Sequence, residues 1–157
     1  MELPLLKKVI LIGPDEEAFS RVEPEFKEKV EFLSRERLLE MEETEVSAFV
    51  KNQVGEYPLY ISIDKDVLCE TDADTNWSQG DMRLSTMLEC LGAVKEKCAE
   101  RISRILGVDI CGECDVTEPG NSALNDMANA ALLEFFTSTD VGEDIEENKN
   151  GTTGGNG

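Results

Sequence analysis

The chain predicts an α/β fold of about four βα units, with a parallel sheet flanked by helices. Three observations lead there. Short β-branched apolar runs alternate with segments whose apolar residues recur every three to four positions. Gly, Pro and acidic clusters punctuate the joins. The 157 residues are 40% hydrophobic and 31% charged, enough for one core with little room for a second.

The elements follow in order. Val9 to Ile12 is a β-branched run ending in Gly13-Pro14, a strand and its turn. Asp15 to about Lys29 carries Phe19, Val22, Phe26 and Val30 at helical spacing, with Pro24 imposing a break. Val30 to Leu33 is a second short strand. Glu42 to Val54 forms a weaker helix, with Val46, Phe49, Val50 and Val54 on one side. Leu59 to Ile63 is nearly all apolar, which predicts a strand buried on both faces. Arg83 to Arg101 is the clearest helix, striped by Leu84, Met87, Leu88, Leu91, Val94 and Cys98, with Asp81 or Ser85 as its cap. Ile105 to Cys111 is another buried-type strand. Pro119-Gly120 turns the chain, and Asn121 or Ser122 caps a last helix bearing Leu124, Met127, Ala131, Leu132 and Phe135. Residues 1–139 form the domain. Residues 140–157 read as a disordered acidic and Gly-rich tail.

Composition excludes several functions. The net charge is −19, which repels nucleic-acid phosphates and anionic membranes. There is no histidine, so this chain alone supplies no Ser-His-Asp triad, Cys-His dyad or histidine zinc site. No apolar run approaches the ~20 residues of a membrane span. Five cysteines and no secretory signal predict a reducing cytoplasm and free thiols.

Ligands of parallel sheets sit beyond the carboxyl ends of the strands. The strongest feature there is Ser62-Ile63-Asp64-Lys65-Asp66. Two residues apart, Asp64 and Asp66 can point the same way and offer hard oxygens to Mn²⁺ or Mg²⁺, with Lys65 pointing away. The alternative is that Asp64 caps the next turn and Asp66 is solvated. Cys111-Gly-Glu-Cys114 has redox-like spacing but ends a strand among acids that raise a thiol pKa. Asp72-Ala-Asp74-Thr-Asn76 begins like an EF-hand loop, yet Trp77 stands where glycine is required and Arg83 where the bidentate glutamate is required. The stretch reads instead as a loop over the site, with Trp77 packing or facing substrate.

Tyr60-Ile-Ser-Ile-Asp64-Lys-Asp66-Val-Leu resembles the second metal motif of the ureohydrolase superfamily, which includes arginase, agmatinase and formiminoglutamase. Ile12-Gly13, the strand before Arg35, Gln79-Gly80-Asp81-Met82, Gly107-Val108-Asp109-Ile110 and the helix from Asn125 to Phe136 extend the likeness from about Lys8 to Phe136. The resemblance implies the C-terminal half of a three-layer, arginase/deacetylase-like domain. It also implies a binuclear manganese hydrolase of a C–N bond in a small guanidino- or amidine-type compound. Asp64 and Asp66 would be metal ligands. Asp109, Glu113 and Gly80 would lie at the substrate. The family's glutamate position is Gly112 here, and a bulge would bring Glu113 into it. The family's histidine motif is absent, so a histidine-bearing N-terminal half would complete the site; a homo-oligomer is the other partner expected. In the family's strand order, these four strands leave a missing strand in mid-sheet. The second reading is a non-catalytic interaction protein, or a truncated fragment, that keeps the half-fold.

Overall fold

The computed structural model describes residues 5–100, 103–114 and 122–138. Strand β1 (Val9–Ile12) ends at Gly13, whose φ of 106° makes the turn that only glycine takes freely. Asp15 then caps helix α1 (Glu16–Ser20), its carboxylate accepting the Ala18 amide at 2.5 Å. The chain breaks at residues 21–23 and restarts as α2 (Pro24–Lys27), with Pro24 in the first turn where its missing N–H costs nothing. Strand β2 (Val30–Leu33) follows. Ser34 caps a one-turn helix α3 (Arg35–Leu38), which is too short to show periodicity in the sequence.

Helix α4 (Glu43–Gln53) leads to strand β3 (Leu59–Asp64) and a 3-10 turn at Lys65–Val67. Helix α5 spans Leu84–Ala99, strand β4 Ile105–Cys111 and helix α6 Ser122–Thr137. Neither expected cap serves α5. Asp81 turns to Arg35, and the Ser85 hydroxyl meets Glu43. Asp72 reaches in from the loop instead, accepting the Leu84 amide and the Arg83 Nε, each at 2.8 Å. A cap twelve residues away leaves no local signature. Ser122 is the first residue of α6, while Asn121 and the tail at 140–157 lie outside the described residues.

The architecture is mixed α/β, with two small parallel sheets flanked by helices. β1 pairs with β2 from Val9↔Val30 to Ile12↔Leu33. β3 pairs with β4 from Tyr60↔Gly107 to Asp64↔Cys111, after a register shift that pushes Leu106 outward. Among the described residues no ladder joins the two pairs, so these four strands do not form one continuous sheet.

The core has two parts that share α5. Leu33, Val46, Val50, Val54, Cys90 and Ala93 form one, contacted by Ile10 and Ile12 of β1 and Leu59 of β3. Ile63, Leu68, Met87, Leu91, Ala128 and Leu132 form the other, again touched by Ile12. Helices α4, α5 and α6 therefore cover one face of both sheets. On the opposite face of β1–β2, Phe19 of α1 stacks on Phe32 with ring centroids 4.0 Å apart. The opposite face of β3–β4 is open: Tyr60 is 67% exposed, and Ser62 and Asp64 are exposed too. The expectation that β3 and β4 are buried on both faces is thus corrected. Their apolar runs meet helices on one side only.

Candidate functional site

Alternation along β3 sorts the motif residues. Ile61 and Ile63 face α5 and α6, whereas Tyr60, Ser62 and Asp64 face outward. Lys65 opens the 3-10 turn, so the strand's parity stops at Asp64, and its side chain turns to the α6 side. It is fully buried, and its ammonium bonds the Glu113 carboxylate and the Asn129 carbonyl of α6. Asn129 also donates to Glu113 at 2.9 Å. Glu113 is therefore held by Lys65 first and Asn129 second, which keep its carboxyl below the ordinary glutamate range. The pair clamps the ends of β3 and β4 to α6.

Asp64 closes β3 and caps the 3-10 turn, its Oδ1 accepting the Asp66 amide at 3.1 Å. Half of the alternative reading of this pair is thereby met. The other half is not, because Asp66 is not simply solvated: its Oδ1 is covered and has no hydrogen-bond partner. A buried carboxylate oxygen left without a donor is costly, and a hard cation would satisfy it. Gly112, at φ 81°, lets the β4 backbone run against both aspartates. A Cβ there would lie 2.8 Å from the Asp64 Oδ1 and 3.0 Å from the Asp66 nitrogen. One unpartnered oxygen beside the Asp64 cap is thus what these residues offer toward a divalent-cation site. Among the described residues, no three His, Cys, Asp or Glu side chains converge to complete it.

Asp109 sits on the open face, one outward-facing position before Asp64 in register. It accepts the Ser62 hydroxyl at 3.0 Å. Its hydrogen bond and charge raise the pKa of the Tyr60 phenol. Cys111 lies opposite Asp64. Partial desolvation, then the charges of Asp64 and Asp109, push its thiol pKa up, the direction opposite to that of an activated thiol. All five cysteines are free. Gly80 does allow a close approach, but to backbone: a Cβ there would fall 2.0 Å from the Val67 carbonyl oxygen. Trp77 is 91% exposed, so it is not a packing residue.

Beside the aspartates, at the carboxyl ends of β1 and β2, lies a cleft of about 190 Å³ lined by Gly13, Arg35, Val67, Asp81, Met82 and Thr86. The Arg35 Nε donates to Asp81 at 2.5 Å across it. Sequence reading missed this pair because its partners are 46 positions apart. It also missed Asn129, which carries no signal beyond a polar residue on an amphipathic helix. No helix among the described residues is long and apolar enough to cross a membrane.

No protein-family model matches the chain, and no solved structure matches it. An uncharacterized protein of Thermotoga maritima is 35% identical to it over 85 residues, 53% of this chain. The chain spans 32% of that relative's length.

Proposed function

We propose that this chain is the C-terminal part of an arginase-family, manganese-dependent hydrolase. Its reaction would cleave a C–N bond of a small guanidino- or amidine-type compound, in the cytoplasm. The observation that carries the reading is the placement of Asp64 and Asp66 at the carboxyl end of a parallel strand, with the Asp66 Oδ1 buried and unpartnered. The separation of β1–β2 from β3–β4 also supports it, because that is where the resemblance expects a missing strand.

Asp64 and Asp66 would hold Mn²⁺, jointly with donors from a histidine-bearing complementary half. When bound, the metal would lower the pKa of a water and orient it toward the substrate carbon. This chain's own residues prepare the position. The 3-10 turn fixes Asp66, and the Asp64 Oδ1 caps that turn. Gly112 keeps β4 from crowding the pair. Lys65 holds Glu113 on the α6 side, so its charge does not compete for the carboxylates. Asp109 and Tyr60 would meet substrate or partner on the open face. Two carboxylates do not hold two manganese ions, so the chain alone is inactive in this reading.

The open face favours a second reading, a non-catalytic interaction protein of the same half-fold. Calorimetric titration with Mn²⁺ separates the two. Wild type should bind, and Asp64→Ala/Asp66→Ala, shown by circular dichroism to fold, should not. A folded wild type without aspartate-dependent binding would sink the hydrolase reading and leave the interaction protein.

A further inference from the structure

The cleft at the carboxyl ends of β1 and β2 is built from fixed parts that the metal reading leaves unused. Ser34 caps α3, and the Arg35 amide donates to the Pro14 carbonyl at 2.9 Å, which sets Arg35 at the head of that turn. Asp81 is set by a different segment. Its neighbour Met82 bridges to the chain after β3: the Met82 amide donates to the Val67 carbonyl at 3.0 Å, and the Cys69 amide to the Met82 carbonyl at 2.8 Å. Leu38, Leu39, Val67 and Met82 make the lining mainly apolar.

Two arginines line this cleft, and they are held differently. Arg83 engages both oxygens of Asp72, which also caps α5, so that pair belongs to the helix start. The Arg35 Nε and Nη2 both donate to one oxygen of Asp81, Oδ2. The two side chains are 36% and 42% exposed, and an ion pair this open adds little stability, so parting it costs little. A ligand with a single charge would satisfy one member and strand the other beside an apolar wall. A zwitterion satisfies both. Net charge points the same way, since −19 repels free anions and a neutral dipolar molecule meets no such repulsion. The volume of about 190 Å³ lies below the ~300–1,000 Å³ of pockets for drug-sized ligands, which selects a small molecule.

We propose that this cleft binds a small α-amino acid with an apolar side chain of about leucine's size. Its carboxylate takes the Arg35 guanidinium, its ammonium takes the Asp81 carboxylate, and its side chain lies on Leu38, Val67 and Met82. The amino and carboxyl groups of an α-amino acid share one carbon, so they fit between two charges that now touch. A zwitterion with its charges at opposite ends of a long chain does not. The inference goes beyond the hydrolase reading: it rests on the Arg35–Asp81 pair and the apolar lining, and on neither the metal nor a complementary half.

Titration of the full chain, followed by amide chemical shifts in nuclear magnetic resonance and run without Mn²⁺, tests it. L-Leucine should give saturating shifts at Arg35, Leu38, Met82 and Thr86. Isocaproate, which lacks the ammonium, and isoamylamine, which lacks the carboxylate, should each bind at least about tenfold less tightly. So should ε-aminocaproate, whose charges are far apart. Arg35→Gln and Asp81→Asn, with spectra unchanged away from the cleft, should each weaken leucine by about tenfold or more. If either variant fails to fold, the comparison of ligands on wild type still decides. No shifts at the cleft with leucine at tens of millimolar would overturn the proposal. Equal binding of isocaproate would overturn it in favour of a plain carboxylate site, and equal binding of ε-aminocaproate would overturn the α-amino class. Asp64→Ala/Asp66→Ala should bind leucine as wild type does. Absent Mn²⁺ binding with leucine binding intact would fail the hydrolase reading alone, and the reverse would fail this proposal alone.

Discussion

Removing either partner of the Lys65–Glu113 pair should destabilise the protein, but by unequal amounts. Lys65 is fully buried, whereas the Glu113 side chain is 55% exposed. In Lys65→Met the long apolar stem is kept, and the orphaned carboxylate turns to water. The expected cost is about 1 kcal/mol. Glu113→Ala strands an ammonium with Asn129 as its remaining acceptor among the described contacts, at about 3 kcal/mol. Lys65→Ala adds the loss of three buried methylenes at ~0.8 kcal/mol each, bringing it to about 3 kcal/mol as well. The double variant Lys65→Met/Glu113→Ala should be more stable than Glu113→Ala alone, because the stranded charge is gone. Urea denaturation followed by far-ultraviolet circular dichroism measures all four, and exposed Trp77 makes fluorescence the poorer probe. The pH dependence has a fixed sign. Glu113 is depressed in the folded state, so the stability it contributes is complete above the ordinary glutamate value of about 4.3 and fades as pH falls through the folded value. A Lys65→Met penalty equal to or larger than that of Glu113→Ala would refute this reasoning.

Two further outcomes are expected. Gly80→Ala should cost about 3 kcal/mol or more, because its Cβ would sit 2.0 Å from the Val67 carbonyl oxygen and backbone must move; a urea midpoint near wild type would contradict this. Asp72→Ala should cost about 1–2 kcal/mol by uncapping α5. Burial opposes ionisation of Asp72, but Arg83 and then the Leu84 amide outweigh it and hold the carboxyl below its usual range. Its contribution is therefore present above about pH 4 and lost as pH falls through the folded value, so the two denaturation curves should converge in acid.

Much was legible in the sequence because it is local. β-branched runs placed β1, β2 and β4 with the observed bounds, and Pro24 marked the break between α1 and α2. Parity along β3 set Ser62 and Asp64 apart from Ile61 and Ile63, since a strand alternates whatever surrounds it, but it ends where the 3-10 turn starts at Lys65. Packing decided the rest. Whether an apolar strand has one covered face or two depends on which elements lie over it, so the apolar runs of β3 and β4 do not reveal that Tyr60 and Leu106 are exposed. The start of α5 rests on Asp72, and the 3-10 turn brings the Asp66 Oδ1 to a covered place without a donor. Local chemistry thus set the elements and the order of candidate ligands along the chain. Only the tertiary arrangement parted β1 from β3, because strand partnership depends on which backbone groups come within hydrogen-bonding distance, and no single segment carries that information.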